Sequence, residues 1–182
     1  MSAIRYAMAV DTRTCVGCSA CVIGCKEEND VPAGCSRDWV VTETRGRFPN
    51  LSMVLRSERC NHCADAPCVR ACPTGSSHHG PGGTVQVNQG KCSGCKACIT
   101  ACPYGARYVD PRTRTVDKCS FCMHRIEAGK TTTSCQEICP TGSIIFGDLN
   151  DPASEIGKAL AAREHEALLA DAGTAPSHYY LK

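Results

Sequence analysis

The chain has 182 residues, 17 of them cysteine, and a formal net charge of +2. Cysteine is therefore about 9% of the sequence, far above ordinary globular usage, and without it the apolar fraction falls to about a third, with only three Phe and one Trp. That is thin for a self-sufficient core, so disulfides, zinc or iron–sulfur clusters must help to hold the chain, and the odd thiol count weighs against a pure disulfide scaffold. The charge does not suggest nucleic acid, and no apolar run approaches the length of a membrane-spanning helix. Met1–Asp11 lacks the apolar centre of a secretory signal and holds no twin-arginine pair.

In chain order, alternation predicts a first strand at Tyr6–Val10. It leads into Cys15, Cys18, Cys21 and Cys25, spaced C-x2-C-x2-C-x3-C, with a helix from Cys21 to Glu28. Cys35 stands alone and reads as a buried small apolar residue. Trp39–Thr44 and Leu51–Ser57 predict a hairpin inserted over residues 38–58, for docking on a partner or covering the core. Cys60, Cys63, Cys68 and Cys72 follow, with a helix near Cys68. His62 lies between two of them, and either tunes a cofactor or makes a structural hydrogen bond. His78-His79 reads as a solvated pair in a glycine-rich loop. A strand at Thr84–Asn88 precedes Cys92, Cys95, Cys98 and Cys102, which repeat the first spacing around a helix at Cys98–Ala101. Strands at Arg107–Asp110 and Arg114–Asp117 lead to Cys119, Cys122, Cys135 and Cys139. His124-Arg125, inside that last group, supplies positive charge near a cofactor or a surface ion pair. A strand at Ser143–Phe146 comes next. A helix then starts at Asp151-Pro152, with Asp as cap and Pro at the first position. Ala172–Lys182 lacks periodicity and is expected to wrap a partner.

The repeat unit is a short strand, a cysteine loop, about two helical turns, a turn at Cys-Pro and another strand, although in the first group Lys26 rather than Pro follows Cys25. Gly17 and Gly94 allow the tight loop between the first two cysteines of the first and third groups. Soft thiolates favour iron–sulfur, zinc or Cu(I), but zinc ribbons close a tetrahedron from separated pairs and have no place for a third cysteine three positions on. In two-cluster ferredoxins, three cysteines of such a run hold one cube and the fourth reaches another. Crossing of this kind gives four expected sets. The first is Cys15, Cys18, Cys21 and Cys139. The second is Cys25, Cys119, Cys122 and Cys135. The third is Cys60, Cys63, Cys68 and Cys102, and the fourth is Cys72, Cys92, Cys95 and Cys98. The fold class is then α+β, with two ferredoxin-like halves. Residues 1–59 with 115–147 form the outer half, residues 60–114 the inner half, and residues 148–182 a C-terminal helix and tail.

Cys15-Val16-Gly17-Cys18, Cys60-Asn61-His62-Cys63, Ala66-Pro67-Cys68, Cys102-Pro103-Tyr104-Gly105-Ala106-Arg107-Tyr108, Lys118-Cys119-Ser120-Phe121-Cys122 and Gly147-Asp148-Leu149 carry a family resemblance. Over roughly residues 5–182 the chain resembles the four-cluster electron-transfer subunit of membrane-associated molybdopterin oxidoreductases. It is most similar to the iron–sulfur subunit of polysulfide or thiosulfate reductase. The resemblance implies four [4Fe–4S] clusters and no catalysis by the chain itself. It implies a molybdopterin-containing catalytic partner, an integral membrane quinone-reactive partner, and a peripheral place on a prokaryotic cytoplasmic membrane, on either side. The same wire in a formate, nitrite or hydrogenase system, or a free polyferredoxin shuttle, is the alternative.

Overall fold

The computed structural model describes residues 3–182. Its organising element is strand β1 (Tyr6–Asp11), whose residues Ala7–Val10 are all buried. Successive side chains of a strand face opposite ways. Met8 and Val10 therefore enter one core with Phe121, Ile144, Phe146 and Tyr180, while Ala7 and Ala9 enter another with Ile156 and Leu181. The first core lies among the cysteines. The second lies beneath helix α6 (Glu155–Ala162), which covers the outer face of the sheet.

Helix α1 (Ala20–Glu28) follows the first cysteine loop. The expected hairpin is present and longer than expected, as β2 (Asp38–Arg47) and β3 (Asn50–Arg59), paired in register from Asp38↔Arg59 to Arg47↔Asn50. Its base is buried at Asp38, Ser57 and Arg59, and its tip exposes Phe48 at 88%. Next come α2 (Pro67–Arg70), the ribbon β4 (Ser77–His79) with β5 (Val85–Val87), α3 (Ala97–Thr100), and the ribbon β6 (Tyr108–Val109) with β7 (Val116–Asp117). The chain continues through α4 (Met123–Glu127), α5 (Ser134–Glu137) and β8 (Ile144–Asp148). After α6 come β9 (His165–Glu166) and β10 (His178–Leu181).

Apart from α1, the helices of the cysteine units are a single turn, four or five residues long, rather than about two turns. Helices so short do not persist alone, so what surrounds the cysteines must hold them. Helix α6 starts later than Asp151-Pro152. Its cap is Ser154, whose Oγ accepts from the Gly157 N–H at 3.0 Å. Asp151 instead accepts from the Ala153 N–H at 2.8 Å and closes a preceding turn, a local bond that short acidic side chains make readily.

The C-terminal tail, expected to wrap a partner, packs on its own chain. Strand β10 pairs parallel to β1, from Met8↔His178 to Asp11↔Leu181, in a sheet of order β8-β1-β10-β9. His178, Tyr180 and Leu181 are all buried there. The physical reason is the free edge of β1, whose unpaired N–H and C=O groups would otherwise stay bare beside the core.

Candidate iron–sulfur centres

Each cysteine loop is positioned by backbone that side chains disfavour. Gly17 and Gly94 take φ of 67° and 70°. A Cβ at Gly94 would sit 2.7 Å from the Arg114 carbonyl oxygen, so only glycine fits the loop. The fourth group has no glycine at this point, and Phe121 and Cys122 take φ of 55° and 50°. Packing holds them: the fully buried Phe121 ring stacks on His62 at 3.7 Å and meets Phe146 edge-on at 5.4 Å.

Three similar small cavities lie among the cysteines. One is lined by Cys25, Cys119, Cys122 and Cys135 together with Asp38, Arg59 and Thr133. A second is lined by Cys15, Cys18, Cys21 and Cys139 with Ser57 and Ser143. A third is lined by Cys72, Cys92, Cys95 and Cys98 with Ser77 and Arg107. The remaining thiols, Cys60, Cys63, Cys68 and Cys102, are also neighbours, close enough for Cys60, Cys68 and Cys102 all to oppose ionisation of Cys63. In every case residues far apart in sequence are brought together, as Cys139 is with Cys15.

The electrostatics around the thiols is uneven. Burial pushes the Cys63 thiol up to about 11 and the Cys119 thiol up to about 12. Burial also acts on Cys72 and Cys139, but hydrogen bonds from Thr74, Ser76 and Ser77, and from Thr141 and Ser143, outweigh it and lower both. Two arginines are buried against sulfur. Arg59, 1% exposed, donates from Nη1 to Cys135 Sγ at 2.7 Å and from Nη2 to Ser57 Oγ. Arg107, 6% exposed, donates from Nη2 to Cys68 Sγ at 2.9 Å and to Ser77 Oγ at 2.8 Å. Arg59 Nε and Arg107 Nε and Nη1 are buried with no protein acceptor.

These features fit an anionic group of several atoms. Buried cationic donors without acceptors are costly unless a partner supplies one, and sulfide-bearing cubes held by thiolates supply both charge and acceptors. Among the described residues no three His, Cys, Asp or Glu side chains close on a point as a single ion would require; the cysteines stand instead on the walls of cavities.

Residues 51–149 match the family described as the 4Fe-4S dicluster domain. The chain belongs to this family. It is also 42% identical to protein NrfC of Escherichia coli (strain K12), over 98% of this chain and 81% of that protein. To a tetrathionate reductase subunit of Salmonella typhimurium the identity is 40%, over 97% of this chain and 72% of the relative. To a polysulfide reductase chain of Wolinella succinogenes it is 42%, over 87% of this chain and 84% of the relative. As a 4Fe-4S dicluster protein, the chain is the iron–sulfur electron-transfer subunit of an oxidoreductase complex and not its catalytic subunit.

His62 is buried; its Nδ1 accepts from the Val85 N–H at 3.0 Å, while its Nε2 is buried with no protein partner. Cys35 is half-buried rather than buried, in the loop after α1, where its carbonyl accepts from Lys26 Nζ. A loop backbone serving that lysine has no reason to draw the thiol inside. His124 and Arg125 both meet Glu28, at 2.7 and 2.8 Å, and tie α4 to α1. His78 and His79 are exposed as expected, but in strand β4, paired with β5, rather than in a loop. Sequence reasoning gave no role to Arg59, Arg107, Ser57, Ser77 or Asp38. In sequence, Arg56-Ser57-Glu58-Arg59 reads as a polar strand surface, and only its place directly before Cys60 hinted otherwise.

Proposed function

We propose that the chain holds four [4Fe–4S] clusters in the four crossed cysteine sets. On this reading it passes electrons between an integral membrane quinone-reactive subunit and a molybdopterin-containing catalytic subunit. The observation that carries this is the lining of the three similar cavities. Each holds one expected set of four cysteines, drawn from two groups that lie apart in sequence. When bound, such clusters accept and return single electrons, with potentials set by hydrogen bonds, charge and exposure. The chain's own residues hold them, exclude water from them and place charge beside them.

Two ferredoxin-like halves are supported by the cavity linings, since cysteines of the first and fourth groups share two cavities and cysteines of the second and third groups share the third. The hairpin is the element for docking on the catalytic subunit, since its tip exposes Phe48, Leu51 and Met53. Relatives named for tetrathionate and polysulfide support a sulfur compound as the substrate of that partner. The same wire in a formate, nitrite or hydrogenase system is the second reading. The site of action is the surface of a prokaryotic cytoplasmic membrane, and among the described residues no helix is long and apolar enough to cross it.

The test is anaerobic purification of the native complex. About sixteen irons and sixteen acid-labile sulfides per copy of this chain are expected, along with molybdenum or tungsten in a co-purifying subunit. Iron near half that value removes the four-cluster reading. Absence of both heavy metals removes the molybdopterin partner.

A further inference from the structure

Arg59 and Arg107 occupy corresponding places. Arg59 lines the cavity of Cys25, Cys119, Cys122 and Cys135, while Ser57, to which it donates, lines the cavity of Cys15, Cys18, Cys21 and Cys139. Ser57 Oγ lies 3.4 Å from Cys21 Sγ, so Cys135, Arg59, Ser57 and Cys21 form one continuous polar chain between the two cavities. Arg107 repeats the arrangement. It lines the cavity of Cys72, Cys92, Cys95 and Cys98 together with Ser77, and the Nη2 that donates to Ser77 Oγ also donates to Cys68 Sγ of the remaining set. Asp38, 2% exposed, stands 3.6 Å from the Arg59 guanidinium. Both Asp38 carboxylate oxygens lack a hydrogen-bond donor, which leaves Arg59 as its ion-pair partner in that wall.

We propose that Arg59 and Arg107 are potential-setting residues. Each fixes a positive charge in the wall between two clusters and makes both easier to reduce, and Asp38 tempers the effect of Arg59. The inference rests on the ligand sets proposed above. The physical reason is that reduction adds one electron to a cluster as its donor loses one, with no bond made or broken, so a nearby cation favours the reduced form. Water does not screen the interaction, because both guanidiniums are buried. An arginine keeps its charge throughout the working pH range.

The test is an EPR-monitored redox titration of the full chain carrying its clusters, with iron and sulfide counted in every sample. Arg59→Gln should weaken reduction of the clusters flanking Cys135 and Cys21 at least tenfold, a downward shift of about 59 mV for one electron. Arg107→Gln should do the same to the other two clusters only. Arg59→Lys should stay near the wild-type potential. Asp38→Asn should move the clusters beside Arg59 in the opposite direction, upward. A low iron count in the wild type defeats the ligand sets themselves. Full iron with unmoved potentials in both Arg59→Gln and Asp38→Asn overturns the role of the arginine. If Arg59→Gln fails to load iron, Asp38→Asn decides alone: an upward shift supports the proposal and no shift overturns it.

Discussion

A thiol that will ligate iron must first give up its proton, and this chain makes that step costly at its buried positions. Cys63 and Cys119 are pushed up to about 11 and about 12 by burial, so both are protonated at neutral pH before loading. Metal binding then releases those protons. Below its pKa each such thiol loses a proton for every sulfur bound, so loading strengthens as pH rises and weakens as pH falls. Anaerobic reconstitution followed by the cluster absorbance should show apparent affinity climbing steadily from pH 6 to 9, and a flat profile would contradict this account. Cys72 and Cys139 are instead lowered, by the hydrogen bonds of their Cys-Pro turns. The cysteines were legible one by one in the sequence, because their spacing is itself the ligand geometry. The buried arginines were not, because a charged residue at the foot of a strand looks like surface until its neighbours across the fold are known.

Among the elements, the four-residue helices α2, α3 and α5 and the two-residue strands β6 and β7 have too few internal bonds to stand alone, and their positions follow the cysteine motifs. Helix α6 is different. It lies away from the cysteines, buries Ile156 against Ala7 and Ala9, and depends on ordinary capping. Ser154→Ala should destabilise the loaded chain by about 1 kcal/mol in denaturant unfolding, with Ser154→Asp close to wild type. An unchanged midpoint for the alanine variant would show that the cap contributes nothing. The sequence pointed to this helix but missed its first residue. Asp151, Pro152 and Ser154 are all acceptable starts locally, and the choice falls on Ser154 because Asp151 closes a separate turn through the Ala153 N–H just ahead of the helix. The hairpin was legible from its alternation. The gradient from a buried base to an exposed tip was not, because it depends on which end of the hairpin meets the rest of the fold.

For the whole molecule, the C-terminal segment joins parts that the cysteine repeats leave separate. Strand β10 completes the sheet beside β1. Just before it, the carbonyls of Thr174 and Ala175 accept from the Asp65 and Ala64 N–H groups at 3.0 and 2.8 Å, and Ser177 N–H donates to the Asn61 carbonyl at 2.8 Å. The tail therefore straps the loop that carries Cys60 and Cys63 to the sheet. Deleting residues 174–182 should lower iron content as well as thermal stability, with the deficit read by metal analysis and calorimetry on the same sample. Full iron retention in the truncated chain would show that the strap is dispensable.

The amino-acid sequence by itself determined the cofactor class, the four cysteine groups, the hairpin and most of the short strands. Each of these is written in local spacing: thiolates at fixed intervals, alternation along a strand, proline after the last cysteine of three groups. Tertiary structure alone decided what stands between the cavities and what closes the sheet. Arg59 reaches Cys135 across 76 positions and β10 pairs with β1 from the opposite end of the chain. Such partners are chosen by a free strand edge and by a buried charge that needs sulfur beside it. Neither of these exists until the chain has folded around its cysteines.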